Sequence, residues 1–314
     1  MIGETILAIT TTIGLVLQPV FLGYFVLYNT YMMTLIALSV RQVRRRVAGH
    51  FVEDLDLIDE SDYTKPLTMV VPAFNEEVTI VDSVTNLVQC DYPRFEVVVV
   101  NDGSSDSTPL RVEEVMAKKG MGRVRMLSHD HPRGVGASFR DGLKEAKGEA
   151  AAFMPGDDEN DPSEIVRYLP LMKEVDLVVP FVFNRSVRAP ARNLLSLLYR
   201  TIVNLSFGVN FNYTNGTVLY RRCVLEDRPN LSDGFFFQTE NVVRAARKGY
   251  LFAEVPYRLD VRRGGGSKAV SWKSLQAVSR DFLRLFCEIR GGGGGRAELA
   301  PGSISARRRG QEKI

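Results

Sequence analysis

A chain of 314 residues with 45% hydrophobic residues has material for one large domain or two small ones, and a mean hydropathy of -0.06 makes most of it water-soluble protein. The formal charge of +3 resides in residues 291–314, where Arg296, Arg307, Arg308, Arg309 and Lys313 outnumber Glu298 and Glu312, so the near-neutral body excludes a nucleic acid partner held by a basic stripe. Cys90, Cys223 and Cys287, an odd set without CxxC spacing, exclude a disulfide framework and a zinc site and fit a reducing compartment.

From Thr5 to Val40 no residue is charged, and about 20 apolar residues suffice to span a bilayer. Pro19 divides the stretch, with Val20–Val40 the better span. Glu4 before it and Arg41, Arg44, Arg45 and Arg46 after it are the wrong flanks for a cleaved signal peptide. Positive flanks stay in the cytoplasm, so the expectation is a single-pass anchor over residues 1–46 with the body on the cytoplasmic side. Glu53, Asp54, Asp56, Asp59, Glu60 and Asp62 make residues 47–66 an acidic, solvated linker.

In the body, 67–72, 95–101, 124–128 and 149–154 read as short buried strands, and 76–89, 107–119 and 136–146 between them read as helices. Such alternation predicts an α/β fold with a mostly parallel central sheet, whose ligands bind past the C-terminal strand ends. His129-Asp130-His131, after the third strand, lacks further ligands nearby and reads as a solvated loop. Beyond Pro162 the pattern weakens: helices over 163–173, 191–205 and 238–248, strands over 176–183 and 250–260, and a further strand within 211–221.

Three polar clusters fall at predicted strand ends: Asn75-Glu76-Glu77, Asn101-Asp102-Gly103-Ser104-Ser105-Asp106, and Gly156-Asp157-Asp158-Glu159-Asn160-Asp161. Alone, the second reads as a turn and the third as a loop and helix cap. Converging in one crevice, they suit a nucleotide-sugar, because a hard cation held by carboxylates neutralises the charge that develops on a leaving diphosphate. GxGxxG after the first strand, GxxxxGK[ST] and GxSxG are all missing, which excludes a Rossmann dehydrogenase, a P-loop enzyme and an α/β hydrolase.

With these clusters, the segments VVPAFNEE (70–77), VVVNDGSSDST (98–108), GVGASFRDGLKEAKGE (134–149), MPGDDENDP (154–162), FFFQTENVVRAARKGYLFAEVPYRL (235–259) and RRGGGSK (262–268) resemble, in order, the family 2 glycosyltransferases of the GT-A nucleotide-sugar-binding fold. Within that family the chain is most similar to the dolichyl- or polyprenyl-phosphate mannose synthase and dolichyl-phosphate glucosyltransferase branch. The resemblance implies a GT-A catalytic domain over 67–268. It places nucleotide contacts on Pro72, Phe74, Glu76 and Asp102, and the metal motif, for Mg2+ or Mn2+, on Asp158 and Asn160. The family pattern is Asp-x-Asp followed by Gln; aligned through Pro162, the first Asp becomes Gly156 and the Gln becomes Asn160, with Asp157 the candidate replacement ligand. Arg262, Ser267 and Lys268 correspond to a phosphate-binding ending. Arg185, Arg188 and Arg192 form a second basic set, read either as an acceptor-phosphate site or as a solvated face. Gln238 and Glu240 fall where many family members place acceptor-site groups, with Glu240 either a base or a structural carboxylate.

After the catalytic domain, residues 269–290 carry apolar residues at helical spacing interspersed with cations, which suits either a membrane-surface helix or one docked on the core. Residues 291–314 read as a glycine-rich, basic, disordered tail. The expected activity is an inverting hexosyl transfer from a nucleotide-sugar donor, GDP-mannose or UDP-glucose, to polyprenyl or dolichyl phosphate among membrane lipids. The rivals are transfer to a lipid or glycan hydroxyl and a non-catalytic nucleotide-binding scaffold; a processive synthase is disfavoured because QxxRW is absent.

Overall fold

The structure, a computed structural model, describes residues 2–50, 64–118, 122–158, 160–184, 190–227, 231–258, 272–291 and 298–310. It divides into two units, Met1–Ser61 and Asp62–Ile314.

The described residues of the first unit form one helix, α1 (Ile2–His50). Within it Gly14–Arg41 is long and apolar enough to cross a membrane. The part before Pro19, read from sequence either as extending the span or as lying in the interface, continues the same helix, with Pro19 inside it. Asn29, Thr30 and Thr34 donate to the carbonyls of Phe25, Val26 and Thr30 at 2.7–2.8 Å, so these polar groups are satisfied within the helix. Most of the acidic linker lies outside the described residues.

The second unit is a seven-stranded sheet of order β3-β2-β1-β4-β6-β5-β7. Its strands are β1 (Leu67–Ala73), β2 (Phe95–Asn101), β3 (Val124–Ser128), β4 (Ala150–Phe153), β5 (Leu177–Val182), β6 (Leu219–Arg221) and β7 (Phe252–Tyr257). Only β6 runs against the others, pairing antiparallel with β4 and β5. The valine-rich β1 and β2 are buried on both faces, as central parallel strands must be. Met69, Val71, Val97 and Val99 pack under α2 (Ile80–Val88) and α3 (Thr108–Met116). Val70, Val98, Val100 and Phe153 face the other way, onto Phe139 of α4 (Val135–Lys144) and Phe237 and Val242 of α8 (Phe237–Lys248).

Three expectations change. The helix expected over 163–173 splits into α5 (Ser163–Val166) and a 3-10 turn (Leu169–Lys173), because Pro170 has no N–H to continue the ladder. The strand within 211–221 shrinks to β6, followed directly by α7 (Arg222–Asp227). The tail is not disordered throughout: among the described residues 298–310, Leu299, Ala300, Ile304 and Ala306 are buried and α10 (Ile304–Arg308) forms. Asp176, at the head of β5 and fully buried, causes this order. Its carboxylate accepts from the backbone N–H of Ile304 (2.7 Å) and Ser305 (3.0 Å), and it pairs with Arg221 at 3.4 Å.

The C-terminal amphipathic helix is α9 (Trp272–Gly291). It docks on the core: Leu285, flanked by Phe282, Phe286 and Ile289, packs with Phe236 and Val243 and with Val203 and Phe207 of α6 (Pro190–Phe207).

Candidate active site

Strand register sets the site. Ala73 lies beside Asn101, and Asn101 beside Ser128, so β1, β2 and β3 end flush. Beyond β4, Met154 N–H donates to Val70 and Gly156 N–H to Pro72, extending that strand toward the same edge. The three polar loops therefore leave the sheet together.

Hydrogen bonds join them. Asn75 holds a left-handed turn (φ 53°), which asparagine tolerates. Its N–H donates to Ser104 Oγ (3.0 Å) and its Oδ1 accepts from Ser105 N–H (2.9 Å). Glu76 N–H donates to Thr108 Oγ1, Glu77 Oε2 accepts from Ser107 N–H, and Asp106 Oδ2 accepts from Glu77 N–H. Thr79 then bridges the first loop to the third, donating to Glu76 Oε2 (3.3 Å) and Gly156 O (3.1 Å). Glu77 and Asp106 are thus mutual fasteners, while Phe74, 37% exposed, offers a ring at the rim. Pro72 is buried within β1 and contributes its carbonyl.

In the third loop the two aspartates differ. Asp158 also turns left-handed (φ 56°), and its Oδ1 accepts from Asn86 Nδ2 at 2.7 Å, well along the helix that returns from the crevice. Asn160 Oδ1 accepts from the Tyr257 hydroxyl at the end of β7 (2.7 Å), and Asp161 caps Ser163. Asp157, half-buried, is the first carboxylate past the extended β4 ladder. Asp158, which the alignment put first, is thus bonded to Asn86, whereas Asp157 follows directly on the extended β4 ladder. Two carboxylates and an amide oxygen are hard donors suited to Mg2+ or Mn2+. Among the described residues no three His, Cys, Asp or Glu side chains converge; a nucleotide-borne cation needs only one or two carboxylates, since phosphate and water oxygens complete its shell. The residues fit such an ion on that basis.

Asp102 does more structural work than a nucleotide contact would. Only 5% exposed, it faces His129 Nδ1 (2.8 Å) and accepts from the N–H of Arg133 (2.9 Å) and Gly134 (2.8 Å). Burial pushes its pKa up, but these bonds outweigh it and hold the carboxyl below its usual value. His129, read from sequence as solvated, is buried between Asp102 and Asp141, with Nε2 3.4 Å from Asp141. Asp141 also pairs with Arg133 and Lys144 at 2.7 Å. The available signal was positional: His129 directly follows β3 at the flush edge. Gly134 (φ 101°) closes this loop against Asp233, whose carbonyl would lie 2.3 Å from any Cβ placed there. A carboxyl whose folded pKa is depressed stabilises the fold above its unfolded pKa of about 3.9, and that contribution is lost as pH falls through the folded value. Melting curves below about pH 4 are therefore expected to fall less steeply in Asp102→Asn, which starts from a lower Tm at pH 7.

Glu240 and Gln238 lie on α8. Glu240 is fully buried; it accepts from the N–H of Leu231 (3.1 Å) and Ser232 (2.8 Å) and pairs with Arg244 at 2.8 Å. A general base needs a lone pair facing substrate, so the catalytic role considered for Glu240 gives way to a structural one. Glu240→Gln is expected to lower stability by about 1–3 kcal/mol with kcat of the folded fraction little changed, measured by melting and initial rates. Gln238 Nε2 donates to Gly216 O (2.9 Å), bracing the loop before β6. Arg185, Arg188, Arg262, Ser267 and Lys268, and the side chain of Arg192, lie outside the described residues.

Known proteins share the fold. The family described as glycosyl transferase family 2 aligns with residues 68–229, just over half of the chain, from β1 past β6. The chain belongs to glycosyl transferase family 2. A dodecaprenyl-phosphate galacturonate synthase from Rhizobium johnstonii is 28% identical over 166 residues, 51% of this chain and 49% of that protein. A UDP-Glc:alpha-D-GlcNAc-diphosphoundecaprenol beta-1,3-glucosyltransferase from Escherichia coli is 29% identical over 92 residues, 29% of this chain and 35% of that protein. The chain thus spans about half or less of the length of these two relatives. Glucosyl-3-phosphoglycerate synthase from Mycobacterium tuberculosis, crystallised with UDP, superposes with a TM-score of 0.55 at 20% identity, covering 75% of this chain and 83% of that one. The expected GT-A fold holds, in a chain whose residues 68–229 are a family 2 domain.

Proposed function

We propose that the chain transfers a hexose, with inversion, from a nucleoside-diphosphate sugar (GDP-mannose or UDP-glucose) to a polyprenyl or dolichyl phosphate at the cytoplasmic membrane face. The observation that carries this reading is the stitching of three polar loops together at the C-terminal sheet edge, through Asn75 and Thr79, in a family 2 domain. Phe74 offers a face to the base and Glu76 an acceptor to donor hydroxyls. Asp157, with Asn160 and Asp158 beside it, would hold Mg2+ or Mn2+, which when bound neutralises charge on the departing diphosphate. Arg262, Ser267 and Lys268 are assigned to the donor phosphates, and Arg188 and Arg192 to the acceptor phosphate, for which bidentate guanidinium groups are suited.

The burial of Glu240 favours a phosphate acceptor. A hydroxyl must lose a proton as it attacks, whereas a phosphate oxygen is already anionic near pH 7 and needs no strong base. The names of two relatives, one with dodecaprenyl phosphate and one with diphosphoundecaprenol, place lipid-linked chemistry among similar proteins, and α1 supplies an apolar helix to hold this chain at the same phase.

The test supplies full-length protein in detergent with each labelled donor, Mg2+ or Mn2+, and either polyprenyl phosphate or a lipid-linked sugar with a free hydroxyl. Label is expected in the organic phase with polyprenyl phosphate, in a product that mild acid cleaves, as a glycosyl phosphate is acid-labile. Product formed only with the hydroxyl acceptor, and none with polyprenyl phosphate, would overturn the proposed acceptor.

A further inference from the structure

The outward face of α6 has no place in the reaction just described. Leu194, Leu195, Leu197, Leu198, Ile202 and Leu205 are 42–80% exposed, while Val203 and Phe207 on the opposite side are buried. At 100° per residue the six occupy one continuous face. Thr201 is the only polar residue among them, and its hydroxyl donates to the Leu197 carbonyl at 2.9 Å, so the face asks nothing of water. It amounts to on the order of 600 Å² of apolar surface, at or beyond the largest patch a soluble monomer ordinarily leaves bare.

We propose that this face of α6 is a bilayer-docking surface, seated in the headgroup–acyl boundary of the membrane to which α1 tethers the chain. Three observations select lipid over other occupants. First, only residues 51–63 separate α1 from the described part of the body, and thirteen residues cannot reach beyond about 45 Å even fully extended. The Gly14–Arg41 segment is long and apolar enough to cross a membrane, so a bilayer is the one partner that tethering would hold at high local concentration. Second, α9, packed beside α6 through Phe282 on Phe207 (5.0 Å between ring centroids), leaves Leu275 and Leu283 exposed, with Arg280 (79% exposed) and Arg284 (41%) each 3.8 Å from Asp281 and Arg284 also 3.7 Å from Glu240. Leucine among arginines is the composition of helices that lie on anionic lipid surfaces. Third, Leu197 belongs both to this face and to the lining of a small cavity of about 30 Å³ with Val182, Arg200 and Tyr213. Val182 ends β5 on the same sheet edge as the crevice, beside Tyr257. Leu197 thus joins the apolar face to a largely polar cavity, lined also by Asn193, Ser196 and Asn212, at the C-terminal end of β5. The proposal stands whether the lipid-borne acceptor is a phosphate or a hydroxyl.

The test reads lipid contact at single positions, since α1 keeps the protein in vesicles whatever α6 does. Full-length protein carrying Cys287→Ser is given one new thiol, Leu198→Cys, Leu205→Cys or, as control, the exposed Glu113→Cys on α3. Burial raises the pKa of Cys90 and Cys223 to about 11, so both label poorly. An environment-sensitive dye is attached and the protein reconstituted in phosphatidylcholine–phosphatidylglycerol vesicles with or without a spin-labelled lipid. Blue-shifted emission at 198 and 205, quenched by the spin label several-fold more than at 113, is the expected result. Quenching at 198 and 205 no greater than at 113 would overturn the proposal. A Leu198→Cys disulfide between two copies, without lipid quenching, would overturn it in favour of a second copy of the chain.

Discussion

Asp157→Ala is expected to lower kcat/KM by about two to three orders of magnitude, the scale on which losing a group that supports developing charge is felt. Asp158→Ala is expected to cost much less. The sequence alone ranks the pair the other way, because alignment through Pro162 puts Asp158 on the metal motif. The difference rests on backbone direction. The β4 ladder continues through Gly156 to Pro72, so Asp157 directly follows the strand at its C-terminal edge, while a left-handed turn delivers Asp158 to Asn86. Initial rates of both variants at saturating Mg2+ and Mn2+, with melting curves to confirm folding, decide between them. Equal losses would mean that both carboxylates reach the ion; a loss confined to Asp158→Ala would restore the alignment.

The largest effect on stability is expected at Asp176. Removing its carboxylate in Asp176→Ala strands the Arg221 guanidinium, whose side chain is 7% exposed, and frees the N–H groups of Ile304 and Ser305. Breaking a buried pair from one side costs about 3–5 kcal/mol, a fall in Tm on the order of 10 °C for a unit of this size. Release of the C-terminal segment is the accompanying sign, read as rapid proteolytic trimming at the arginines Arg307, Arg308 and Arg309. Ser305→Ala removes one hydroxyl and keeps the ion pair, so a much smaller shift is expected there.

These residues also mark where sequence stopped being informative. The strands β1 and β2 were legible because runs such as VVVV, bounded by turn residues, suit only a doubly covered sheet. The three loops were legible because each follows such a strand. Order in the tail was not, since five glycines and a basic composition describe a solvated chain, and what orders it is a carboxylate 128 residues away in sequence. His129 was misread for the same reason: its partners Asp102 and Asp141 come from other elements, and a local scan for metal ligands misses them. Glu240 shows the converse. Its position in a familiar motif suggested chemistry, while Arg244 one turn later, an i,i+4 partner, was the local hint of a structural pair. The apolar face of α6 was present in the sequence as LLSLLYRTIVNL, but periodicity identifies two sides without telling which one is covered.

The central claim, that the crevice past β1, β2 and β4 binds the donor through an ion held at Asp157, is tested most directly by calorimetric titration of UDP and GDP into the full-length protein. The titrations are run with Mg2+, with Mn2+ and with chelator. One nucleotide is expected to bind at least tenfold more tightly with metal, and Asp157→Ala to bind it equally weakly with or without metal. Binding of either nucleotide that is indifferent to both metal and Asp157→Ala would contradict the account.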